Sequence, residues 1–161
     1  MTGYRDWVQR RRIELAAVVI ILGVFVALFV TRVPHYEAAM EDSALQANLS
    51  VMRASLSQAV LSDEVQGDTA ALRRLAGSNP LDLVGHPPAH YLGARPGMDP
   101  ARAPAGSWYF DPRRGVLVYR VRSAWAFSSR LGPPPRVEFK IVDPSRAGPR
   151  LVSTAPYAFQ P

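Results

Sequence analysis

The residues that could carry chemistry here are few and scattered. His86 and His90 stand four apart, a spacing that suits a metal when both lie on one helical face. Pro87 and Pro88 lie between them, and proline removes a helical N–H donor and crowds the preceding turn. No third ligand is evident, and no metal site is expected. Asp99, Asp111 and Asp143 each precede a proline, which is turn chemistry, and Asp82 stands apart from them. They do not cluster as a calcium loop would require. No Ser-x-x-Lys, G-x-S-x-G or phosphate-cradling loop occurs, so no enzyme and no cofactor are expected. One further carboxylate is out of the ordinary. Glu14 stands at the mouth of the apolar run Leu15–Val30.

The composition narrows the choice of partner. The 161 residues carry a net charge of +6, and Arg supplies 18 of the 19 basic residues. Beyond residue 32 there are 14 basic and 11 acidic residues, a balance too even to support a nucleic-acid partner. There is no cysteine, hence no disulfide and no thiolate metal site.

The apolar run predicts a transmembrane helix over 13–33. With Ile13 and Val33 at its margins it approaches the roughly 20 residues that span a bilayer. Arg10, Arg11 and Arg12 precede it, only Arg32 follows closely, and the next charges, Glu37, Glu41 and Asp42, are acidic. The positive-inside rule then places residues 1–12 as a cytoplasmic basic leader and the rest outside. Nothing like A-x-A follows the run, which argues against a cleaved secretory signal. Glu14 suits a helix N-terminus, with Arg10 and Arg11 one turn away. Gly23 and Ala27 form a small-xxx-small pair that would let another helix approach closely.

Residues 34–62 read as a continuation of the helix, with Pro34 able to bend or end it. Leu45, Leu49, Met52, Leu56 and Ala59 recur at spacings of 4, 3, 4 and 3, one apolar stripe on one helical face. The opposite face carries Glu41, Gln46, Asn48, Arg53, Ser57 and Gln58. The stripe is expected to pack on the chain's own sheet, with a coiled coil as the alternative.

A globular head occupies 63–161. "QGDTAALRRLAGSNP" predicts a short helix capped by Asp68, closed by Gly77 and stopped by Pro80. Residues 79–106 hold six prolines and four glycines and read as loop. "SWYFDPRRGVLVYRVR" predicts a hairpin turning over Pro112–Gly115. In that register Trp108, Phe110, Leu117, Tyr119 and Val121 share one face and meet the stripe, while Arg120 and Arg122 point to solvent. "RVEFKIV" alternates, with Val137, Phe139 and Ile141 inward and Arg136, Glu138 and Lys140 outward. "RLVST" adds a short last strand, and Pro133–Pro135 read as an extended spacer. The expected fold is α+β: a long N-terminal helix, transmembrane and then outside the membrane, laid on an antiparallel sheet of three or four strands.

The segment "IELAAVVIILGVFVALFV" resembles the N-terminus of type IV pilins and type II secretion pseudopilins, with Glu14 matching the family glutamate. In that family the glutamate neutralises the N-terminal amine of a neighbouring subunit. "NPLDLVGHPPAHYLGARPG" and "GSWYFDPRRGVLVYRV" resemble a segment of pilin-related bacterial proteins, through Asn79, Pro80, Pro88, Tyr91, Gly93, Gly106, Trp108, Tyr109, Phe110, Asp111, Leu117 and Tyr119. The family's cleavage point would fall between Gln9 and Arg10, where neither its Gly nor its Phe stands. The resemblance implies a pilin-like fold and a structural or assembly role in a pilus or pseudopilus. It places the chain in the bacterial inner membrane with a periplasmic head. The implied partners are pilins or pseudopilins, inner-membrane assembly platform proteins and the lipid bilayer. A processed minor pilin within the filament and an unrelated envelope binding module are the alternatives.

Overall fold

The computed structural model describes the backbone over 3–143 and 148–160, and side chains over 14–28, 36–68, 70–143 and 148–160. The expected roles of Arg10, Arg11, Arg12, Ile13, Arg32, Val33 and Pro34 rest on side chains outside the described residues. The first helix, α1, spans Gly3–Gln66, and the chain divides into two compact units, Met1–Glu37 and Ala38–Pro161.

In the first unit the described side chains of the apolar run are exposed, from Leu15 at 64% to Leu28 at 59%. Among the described residues no helix is long and apolar enough to cross a membrane. That overturns the expected transmembrane segment and, with it, the single-pass inner-membrane placement with a periplasmic head. Among the described residues the apolar stretch runs from Leu15 to Leu28, 14 residues or about 21 Å of helix, against a hydrocarbon core of about 30 Å.

In the second unit, residues 38–66 of α1 lie on a sheet. Leu45, Leu49, Met52 and Leu56 are buried in one cluster with Trp108, Phe110, Leu117, Tyr119, Val121, Val137, Phe139, Ile141 and Leu151. Spacings of three and four keep the helical members on one side, and alternate residues of each strand face them. The helix α2 spans Thr69–Leu75, and the Asp68 carboxylate accepts a hydrogen bond from Ala71 N–H at 2.8 Å, the N-cap its position suggested.

The strands are β1 (Tyr91–Ala94), β2 (Trp108–Asp111), β3 (Val116–Arg120), β4 (Phe127–Ser129), β5 (Arg136–Val142), β6 (Arg150–Ser153) and β7 (Tyr157–Phe159). Five of them form one sheet in the order β1-β2-β3-β5-β6, and β4 pairs with β7 in a second, two-stranded sheet. The β2–β3 hairpin pairs Trp108 with Tyr119, Phe110 with Leu117 and Asp111 with Val116. Its turn needs Gly115, which has φ +60°; a Cβ there would lie 2.9 Å from the Gly77 carbonyl oxygen.

The architecture therefore differs from the expected antiparallel sheet of three or four strands. β1 runs parallel to β2, so the large sheet is mixed. β1 lies inside the Pro- and Gly-rich stretch expected to be loop. Its four residues pair because Trp108 N–H donates to His90 C=O and Arg95 N–H to Phe110 C=O. β4 lies ahead of the Pro133–Pro135 spacer, where no strand was expected, and is satisfied by β7, three residues against three.

The rest of the Pro-rich segment covers the back of the sheet. Ala103, with Met98 and Leu92 packed beside it, closes over Tyr109, Val116 and Val118. That cover explains a second departure. Glu138, expected in solvent from its alternation, is 1% exposed. Arg120, expected likewise, is half-buried and donates from Nη1 to Pro135 C=O at 2.6 Å.

Candidate assembly site

Two places on α1 combine a carboxylate with an apolar stretch, and they are built differently. The first is Glu14 with Leu15–Leu28. The sequence here is apolar on every side of the helix, and Leu15, Val18, Val19, Ile20, Ile21, Leu22, Val24, Phe25, Val26 and Leu28 are each more than half exposed. Gly23 leaves open space where a Cβ would stand, and Ala27 follows one turn later on the same face. A helix apolar all round is one whose surface is meant to be covered. Glu14 is exposed at its start.

The second place is Glu41. The sequence put it on the polar face, and the fold brings it to the end of β3. Its Oε1 accepts hydrogen bonds from Tyr119 O–H at 2.7 Å and from Arg122 N–H at 2.6 Å, and its Oε2 accepts one from Ser123 N–H at 2.7 Å. The register accounts for this. Tyr119 is the last inward residue of β3 before Val121, and the chain then turns, presenting two successive N–H groups to the helix. Burial pushes the Glu41 carboxyl up, but the Arg122 N–H, the Tyr119 hydroxyl and the Ser123 donors outweigh it and hold it below the usual carboxylate range. The Tyr119 hydroxyl moves the other way, raised by burial and by donating to Glu41. This is an anchor between helix and sheet.

A third carboxylate, Glu138, is held on the back of the sheet. Arg114 grips it with both terminal nitrogens, and Arg136 Nε donates to it at 2.9 Å. Burial pushes its carboxyl up, and the two guanidinium groups bring it below the ordinary value. Burial also raises the nearby Tyr109 hydroxyl, with a further push from the Glu138 charge. Sequence reasoning missed both Glu41 and Glu138. The only signal for Glu138 was a carboxylate centred in a strand with Arg136 two residues before it.

The predicted residues fall into two groups. Leu45, Leu49, Met52, Leu56, Trp108, Phe110, Leu117, Tyr119 and Val121 come together as one core. Glu14, Gly23 and Ala27 lie in the other unit, on the exposed helix. His86 and His90 are exposed, and among the described residues no three His, Asp or Glu converge as metal ligands. Compared with protein families, with curated proteins and with solved structures, the chain finds no match.

Proposed function

We propose that this chain is a pilin-like structural or assembly component of a type IV pilus or a type II secretion pseudopilus. It works by helix–helix contacts of Leu15–Leu28 and through its head, residues 38–161. Its partners are pilins or pseudopilins and the proteins of the assembly platform. One observation carries the proposal. A helical stretch of large apolar side chains is exposed on all sides, and its natural cover is a set of helices of the same kind. The likeness of "IELAAVVIILGVFVALFV" to the pilin N-terminus supports it. Within such a bundle Glu14 requires a cationic partner, because a buried lone charge is strongly unfavourable.

The chain has no cysteine, so a single thiol reports one position without background. Gly23→Cys, in open space, is expected to cross-link in cells to a pilin, a pseudopilin or a platform protein. Deletion of the chain is expected to abolish surface fibres or secretion. If fibres and secretion are both unchanged and Cys-mediated capture yields none of these proteins, the proposal fails.

A further inference from the structure

The head carries a cleft of about 150 Å3 between α1 and the loop before β1. Its floor is Leu45, Trp108 and Tyr119, and Pro88, Ala89 and Arg122 stand at its rim. The space equals that of about five waters, enough for one branched aliphatic side chain. Arg122 gives its backbone N–H to Glu41. Its guanidinium lies beside Gly106, 2.7 Å from where a Cβ would stand, and none of the residues lining the cleft is acidic.

The far end of α1 presents the complement. Leu61 is 62% exposed and Val65 88% exposed, and with Glu64 they occupy one helical face. That face is turned away from the buried stripe of Leu45, Leu49, Met52 and Leu56. Glu64 gives it negative charge, and no basic residue occurs from 54 to 72. An apolar patch with a carboxylate beside it thus stands on the same molecule as an apolar cleft with a guanidinium at its rim.

We infer that a second copy of this chain docks the tip of its α1 into this cleft. Leu61 enters over Trp108, Val65 covers Pro88 and Ala89, and Glu64 meets Arg122. The two surfaces are different parts of the molecule, so the contact is heterologous and adds copies one after another. They stand 17 residues apart along α1, from 44–48 to 61–65, or about 26 Å at 1.5 Å per residue. The inference uses the head alone and stands apart from the pilin-like function.

The test uses the full chain carrying Ala89→Cys and Val65→Cys together, treated with a short thiol cross-linker. A ladder of trimers and larger species is expected, and mixing the two single variants is expected to give only mixed dimers. Glu64→Arg, at an exposed site that leaves the core untouched, is expected to reduce the ladder by about tenfold or more through like-charge contact. Adding Arg122→Glu to it is expected to restore the ladder. Monomers or dimers alone from the double-cysteine chain, or a ladder indifferent to Glu64→Arg, would overturn the inference. Its failure leaves the capture at Gly23→Cys unaffected, since that position lies in the other unit.

Discussion

Residues 15–28 and residues 45–56 belong to the same helix and draw on the same aliphatic residues, yet the first set is exposed and the second is buried. The difference lies in arrangement. Between 45 and 56 the large apolar residues other than Val51 keep to one face, and a sheet made by the same chain covers that face. Between 15 and 28 they cover every face, and no single sheet could cover them all. Each stretch also has a carboxylate near its start. Glu41 is held by three donors, whereas Glu14 is exposed. One stretch is covered within the chain, and the other is exposed.

Truncating a side chain in each stretch gives the largest contrast. Leu49→Ala removes a fully buried side chain and is expected to cost about 2–5 kcal/mol in denaturant unfolding of the head. Leu22→Ala, at an exposed site, is expected to stay within about 0.5 kcal/mol. Equal effects would erase the distinction.

The carboxylates give the next contrast. Glu41→Gln replaces a charged acceptor of three hydrogen bonds and is expected to cost about 1–3 kcal/mol. Glu14→Gln is expected to leave the same unfolding curve in place. Acid sharpens this. Glu41 and Glu138 both have lowered pKa values in the folded chain. Their stabilisation is therefore complete above the unfolded value of about 4.3 and is lost as pH falls through the lower folded values. Unfolding measured from pH 6 down to pH 2 should show Glu41→Gln losing part of the acid-dependent drop; an unchanged drop would mean that the Glu41 hydrogen bonds contribute nothing to it.

The smallest effect on stability should accompany a clear effect on association. Leu22→Ala in the Gly23→Cys background is expected to lower cross-linking to a partner by about tenfold, the loss of one well-buried leucine at an interface. Unchanged capture would mean that this part of the helix meets no partner.

Much of the packed stretch was legible in the sequence, because period and turn chemistry are local. The 4-3-4-3 spacing of Leu45 to Ala59 and the Pro112–Gly115 turn fix which residues share a face, and the core contains Leu45, Leu49, Met52 and Leu56 of that stripe but not Ala59. What was hidden depends on distant chain. β1 is four residues among prolines and forms only because β2 offers it an edge. β4 and β7, three residues each, carry no pattern of their own. Glu138 obeys the alternation of its strand, but the face it points to is roofed by Ala103 and Met98. Glu41 finds its donors about 80 positions away, where no helical periodicity could point.

The Glu41 anchor has a mechanical consequence. A pull along α1 enters the head beside Ala38, which is fully buried, and meets the Glu41 hydrogen bonds within the next turn. Those bonds grip the backbone at the end of a central strand, so tension passes into the hydrogen-bonded ladder of the sheet before it reaches the leucines behind. The head would take load at a polar clamp and share it across strands, instead of peeling away side chain by side chain.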